Sequence, residues 1–108
     1  HISQIQKMKD LLLFIHTNYA SPLTLKEAAN FCNYSASYFS KFFKSFTGMT
    51  LIEYLNHYRL KKAGDLLLTT SMSIIEISET IGFENHSYFI RLFRKHYQTT
   101  PKQYRKQH

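Results

Sequence analysis

Ser37, Ser40, Lys41 and Lys44 fall at the i, i+3, i+4, i+7 spacing that gathers side chains on one face of a helix. Fifty positions later Ser87, Ile90, Arg91 and Arg94 occupy the same places. Small side chains near a helix start permit close approach to base edges, and the cations that follow pair with guanine N7/O6 or with phosphates. The ligand this chemistry points to is nucleic acid, met by a helix laid in a major groove. The rival account takes each stripe as the solvated face of a core helix. Duplication and charge weigh against it.

The duplication extends over residues 35–54 and 85–104. Ser37-Tyr38-Phe39 recurs as Ser87-Tyr88-Phe89, Phe43 as Phe93, Thr50 as Thr100 and Tyr54 as Tyr104, which makes six identities in twenty positions. Lys41 and Lys44 return as Arg91 and Arg94 with their charge kept. A repeat that preserves a cationic stripe beside an aromatic one suggests one acidic, periodic ligand met at two places.

The charge agrees. Fourteen Lys and Arg against seven Asp and Glu give a net +7 in 108 residues, which attracts polyanions: DNA, RNA or an anionic membrane surface. Six of the cations lie between 91 and 108, where no carboxylate occurs, so the charge concentrates around the second copy. With 44% apolar residues, nine Phe and eight Tyr, the chain has the material for a real core, which argues against disorder.

These faces need helices to carry them. Three glycines and two prolines leave little turn chemistry, and no stretch alternates as a strand, so an all-helical fold is expected. Thr24-x-x-Glu27, Thr50-x-x-Glu53, Ser73-x-x-Glu76 and Thr100-x-x-Gln103 read as four capping boxes, and Ser35 and Asn85 as two further N-caps. Pro101 takes the favoured first helical position. Seven helices follow, near 4–19, 24–32, 36–46, 51–69, 74–81, 86–97 and 101–106. The apolar face of the third joins Phe39, Phe42, Phe43 and Phe46; that of the sixth joins Phe89, Leu92, Phe93 and His96.

Between the second and third helices stands Asn33-Tyr34, and between the fifth and sixth Gly82-Phe83-Glu84. Asn and Gly tolerate the left-handed conformation that ends a helix, so both connections predict sharp corners. The helix-turn-helix arrangement is therefore present twice. Subdomains at 4–49 and 71–108 are expected, joined by a linker helix at 50–70. A helix over 51–69 measures roughly 28 Å at 1.5 Å per residue. Successive major-groove faces on one side of B-DNA lie about 34 Å apart. A rod of that length suits two recognition helices on one chain, and its apolar residues run on more than one side, as packing against both subdomains requires.

Two patterns now resemble a known family. The first is Ser35-x-Ser37-Tyr38-Phe39-Ser40-Lys41-x-Phe43-Lys44, continuing to Gly48-Met49-Thr50, with Tyr58-Arg59-Leu60-x-x-Ala63-x-x-Leu66-Leu67 in the linker. The second is Ile77, Gly82-Phe83 and Ser87-Tyr88-Phe89-x-Arg91-x-Phe93-Arg94-Lys95, closing on Thr100-Pro101-x-x-Tyr104-Arg105. Together they resemble the AraC/XylS transcription regulators over essentially all of 4–106, and the second pattern is the more specific. The resemblance implies a seven-helix, homeodomain-like domain with two helix-turn-helix motifs. It further implies a bacterial, cytoplasmic activator or repressor that binds double-stranded DNA and works with RNA polymerase. A separate sensing or dimerisation domain N-terminal to this piece is implied too. Carried over by position, Ser37, Ser40, Lys41 and Lys44 face DNA in the first motif. His86, Ser87, Ile90, Arg91 and Arg94 do so in the second. Gln98-Thr99 stands where a Gly–hydrophobic pair is common, and Ser78 replaces the usual alanine; both departures bear on packing more than on function.

Other chemistries find little support. The six histidines, at 1, 16, 57, 86, 96 and 108, form no metal-ligand spacing, no carboxylates pair as acid and base, and no glycine-rich phosphate loop occurs. No catalytic residue, metal site or cofactor is expected. Cys32 excludes an internal disulfide and suggests a reducing, intracellular setting, and it should be packed rather than reactive. No apolar run reaches the roughly 18–20 residues of a membrane span. A chain that opens on His1 reads as a fragment of something longer. Gly64 inside the linker helix points to close packing by a neighbour, or to a flex point. Two other functions stay open: the DNA-docking module of a larger enzyme, and a basic helical module for protein or membrane interaction.

Overall fold

The computed structural model describes residues 2–108, and within them the chain is helical with no strand. The helices are α1 (Ile2–Asn18), α2 (Leu25–Phe31), α3 (Ala36–Thr47), α4 (Leu51–Thr69), α5 (Ile74–Thr80), α6 (His86–Tyr97) and α7 (Pro101–Gln107). His1 lies outside the described residues. Each element begins within two residues of its expected start.

The caps explain that agreement. Thr24, Thr50, Ser73 and Thr100 each accept from the backbone N–H three residues on, at 3.1–3.2 Å. Glu27, Glu53 and Glu76 accept in return from the cap N–H at 2.9 Å, and Gln103 does so at 3.4 Å. Both turns also form as expected. Asn33 and Gly82 take positive φ, 60° and 99°. The next amide then reaches back five residues, Tyr34 to the Ala29 carbonyl and Phe83 to that of Ser78, both at 2.9 Å.

The chain divides into two compact units, one up to Asn56 and the other from His57, so the division falls inside α4. In the first unit the core gathers Met8, Leu11 and Ile15 of α1, Ala28 and Ala29 of α2, Phe39, Phe42 and Phe43 of α3, and Leu51 and Leu55 of α4. Cys32 caps the end of α2 and is buried with them, and burial pushes its thiol pKa up. In the second unit the remainder of α4 buries Leu60, Ala63 and Leu67, with Ile77, Phe89, Phe93 and Pro101 from the helices that follow. Leu60, Ala63 and Leu67 repeat the spacing of Met8, Leu11 and Ile15. The opening turns of α4 stand to the first unit as α7 stands to the second, with Thr50 and Thr100 as caps. One helix thus closes the first unit and opens the second.

Gly64 is a packing glycine. A Cβ there would meet the Tyr97 hydroxyl at 2.7 Å and its Cζ at 3.2 Å, and that hydroxyl donates to the Leu60 carbonyl at 3.1 Å. Arg105 fastens the end of α4, donating through Nε to the Leu67 carbonyl (3.0 Å) and through Nη2 to that of Thr70 (3.2 Å). The Leu67 carbonyl belongs to the last turn, where intrahelical N–H partners run out, and Thr70 directly follows the helix.

Two residues depart from the expected apolar faces. Phe46 is 46% exposed, and His96 also faces solvent. Both sit in the last turn of their helix, where the chain leaves the core, so periodicity continues past the surface it would bury. His96 lies edge-on to His57 and Tyr97, with ring centroids 4.9 and 4.6 Å away. Partial burial, then the neighbouring His57, lowers its pKa.

Candidate nucleic-acid interface

α3 is started by the Ser35 hydroxyl, which accepts from the Tyr38 N–H at 3.2 Å, and α6 by the Asn85 side chain, which accepts from the Tyr88 N–H at 2.9 Å. Each helix then buries one aromatic stripe, Phe39, Phe42 and Phe43 in α3 and Phe89 and Phe93 in α6. Rotation by 100° per residue leaves the opposite stripe in solvent. Ser37, Ser40, Lys41 and Lys44 are all exposed, as are Ser87, Ile90, Arg91 and Arg94. Eight of the nine expected contact residues are therefore exposed on the outer faces of two well-capped helices. The ninth, His86, is half-buried at the first position of α6, where its Nδ1 meets the Ser78 hydroxyl at 3.1 Å.

Aromatic rings position part of this surface. The Arg91 guanidinium lies 5.5 Å from the centroid of the Tyr88 ring, which itself is 38% exposed. Such a contact restrains an arginine without consuming its N–H donors. Tyr38, the equivalent of Tyr88, is 47% exposed and packs edge-on against Tyr34 at 4.7 Å. Its hydroxyl accepts from Gln4 of α1 at 2.9 Å. Lys44 contributes electrostatically to Glu53. The Glu53 carboxyl is held below the usual carboxylate range, first by the Thr50 backbone N–H, then by the Thr50 hydroxyl, and least by Lys44.

Beside Ser40 and Lys44 opens a cleft of about 610 Å³ whose walls are chiefly apolar, with Leu23, Leu25, Phe39, Phe43, Leu51 and Ile52 among them. Nothing in the sequence pattern announced it, because its walls come from three separate stretches of the chain. Arg59 was likewise seen only as a motif residue. It is 9% exposed, its guanidinium lies 5.6 Å from the Phe83 ring, and burial lowers its pKa. No helix among the described residues is long and apolar enough to cross a membrane.

A family model described as a helix-turn-helix domain matches residues 21–107. A solved structure from Chromobacterium violaceum, a transcriptional regulator described as containing an AraC-type DNA-binding domain, superposes with a TM-score of 0.87 at 27% identity. The match covers 99% of this chain and 96% of that one. The chain belongs to the AraC-type helix-turn-helix family. Within it, the regulatory protein PocR of Salmonella typhimurium is 38% identical over 101 residues, 94% of this chain and 33% of PocR. The bifunctional transcriptional activator/DNA repair enzyme AdaA of Bacillus subtilis is 35% identical over 92 residues, 85% of this chain and 44% of AdaA. The chain thus spans a third of the length of PocR and less than half that of AdaA.

Proposed function

We propose that the chain binds double-stranded DNA in a sequence-specific manner, with α3 and α6 in successive major grooves, and thereby regulates bacterial transcription. The observation that carries this reading is the recurrence of one surface. Two N-capped helices each present small or apolar side chains and then two cations, at the same spacing and with the same face buried. Ser37, Ser40, Lys41 and Lys44 are the contacts assigned to α3. His86, Ser87, Ile90, Arg91 and Arg94 are those assigned to α6. Because the recognition helices differ (Ala36 against His86, Ser40 against Ile90), the site is asymmetric. RNA polymerase as a partner, a sensing or dimerisation domain elsewhere in the protein, and a cytoplasmic location belong to the same proposal.

A second reading is favoured by AdaA, whose name joins an activator to a repair enzyme. On that reading the present chain is the DNA-docking module of a larger enzyme. DNA binding is common to both.

The test separates reading from attraction. With about six phosphates neutralised, affinity should fall with a log–log salt slope near −5, at roughly −0.9 per contact. Arg91→Ala should cost on the order of 1–3 kcal/mol and relax preference at one base pair. Lys102→Ala, exposed on α7, should weaken all sequences alike or not at all. A slope shallower than about −2 argues against a duplex-spanning footprint. Uniform loss on Arg91→Ala, with preference retained, reduces Arg91 to a phosphate contact.

A further inference from the structure

The Ser78 hydroxyl is fully buried and has one proton, which it donates to the Phe83 carbonyl at 3.1 Å. The carbonyl can only accept, so this bond forms only when the hydroxyl proton points to it rather than to the nearby imidazole. The same oxygen lies 3.1 Å from His86 Nδ1. Both contacts are hydrogen bonds at once in one arrangement alone, with the Ser78 proton on the Phe83 carbonyl and the ring hydrogen on Nδ1. In the neutral ring Nε2 is then a bare acceptor. No group among the described residues bonds Nε2, and no buried side-chain nitrogen or oxygen among them lacks a partner. Nε2 therefore reaches solvent, at the first position of α6 and on the same helix as Arg91.

We infer that Ser78 is a positioning residue for base recognition: it holds His86 in the Nδ1–H tautomer so that Nε2 meets DNA as a hydrogen-bond acceptor. The inference rests on α6 being a recognition helix. In the major groove the donors are the exocyclic amino groups of adenine and cytosine, whereas guanine and thymine offer acceptors. An acceptor at Nε2 selects adenine or cytosine on the strand it faces. The first motif has no such device. The residue whose carbonyl takes the turn amide is Ala29 there and Ser78 here, and the first residue of the recognition helix is Ala36 there and His86 here. Ser78 thus does more than fill the place of an alanine, contrary to the expectation that it matters chiefly for packing.

The experiment reads the ring and the base together. Nitrogen-15 NMR of the His86 ring in the free protein, at about pH 8 where histidines are ordinarily neutral, should find the proton on Nδ1. In Ser78→Ala it should be shared with Nε2. In a binding series varying every base pair of the second groove segment, the wild type should prefer adenine or cytosine at one position. The preference should be roughly threefold to tenfold, the range for one net hydrogen bond. It should vanish in His86→Ala and shrink in Ser78→Ala, while the preference that depends on Arg91 persists in both. A wild-type ring protonated on Nε2 alone overturns the inference without need of a variant. So does a Ser78→Ala protein with unchanged tautomer and preference. If His86→Ala moves no position but Arg91→Ala still does, this inference fails and α6 as reader stands. If neither moves any position, the reading of α6 fails itself.

Discussion

The two units are built to one plan and differ where the plan is filled. Phe43 meets Tyr54 at 5.6 Å and 83°, and their equivalents Phe93 and Tyr104 meet at 5.6 Å and 81°. The identities between the copies are therefore a conserved piece of core as much as a conserved surface. Around this shared contact the fillings diverge. Tyr54 bonds through its hydroxyl to His16 of α1 at 2.6 Å, whereas Tyr104 packs on Tyr97 at 4.8 Å. In register with the buried stripe of α1, Gly64 stands where the first unit has Leu12, and Tyr97 stands where the repeat has Thr47. A large residue on one helix and a small one on the other have changed places. The lesson is that the repeat preserves volume and contact geometry, and leaves free which helix supplies the bulk.

Filling Gly64 should break the second unit alone. Gly64→Ala gains about 1 kcal/mol in helix propensity. Its Cβ, however, would sit 2.7 Å from a Tyr97 hydroxyl already bonded to Leu60. A net loss of about 1–3 kcal/mol is expected, read by denaturant unfolding, with faster amide exchange in α6 and α7 than in α2 and α3. Adding Tyr97→Phe should recover part of it, because the atom in the way is removed. A stabilised Gly64→Ala protein would mean the linker, not its neighbour, needs the glycine.

The helix C-caps sharpen the comparison at smaller magnitude. Gly48 ends α3 at φ 75°, and Gln98 ends α6 at φ 61°. A side chain in this region is strained by about 1 kcal/mol, which Gln98 offsets in part with a bond from Nε2 to the Lys95 carbonyl at 2.9 Å. Gln98→Gly should raise stability by about 0.5–1 kcal/mol, and Gly48→Ala should lower it by about as much. Equal and negligible changes in thermal unfolding would remove the argument. The Gln98 that departs from the family pattern is thus a tolerated cap.

The smallest effect is the response of the caps to acid. Glu27, Glu53 and Glu76 all have lowered pKa values, first because the cap N–H donates to each carboxylate. A depressed folded pKa means stability that is present above the ordinary glutamate value of about 4.3 and lost as pH falls through the folded value. Gln103 carries no charge, so the box at α7 has no such dependence. Between about pH 5 and pH 3, amides in the first turns of α2, α4 and α5 should lose protection while those of α7 hold theirs. Loss at α7 to the same extent would assign the change to global unfolding.

Much of this protein was legible without coordinates because its signals are local. A hydroxyl and a glutamate three residues apart state a helix start through bonds that form within one turn. Asn33 and Gly82 state a corner through their own backbone freedom. The exposed face of α3 follows from the 3.6-residue period once its aromatic stripe is taken as buried, as does most of that of α6. What lay hidden depends on partners far along the chain. Phe46 and His96 share the period of the core residues, yet the core ends one turn before them. Gly64 reads from sequence as either a packing or a flexing glycine, and only its neighbour Tyr97, thirty-three residues on, decides for packing. That α4 closes one unit and opens the next was veiled by apolar residues on several of its sides. The proton on His86 depends on a serine buried across a turn and a carbonyl that occupies the serine's only hydrogen. Helix caps and turns are decided by neighbours in sequence, so sequence alone determined them; exposure, volume exchange and tautomer are decided by neighbours in space, and only the tertiary structure supplies those.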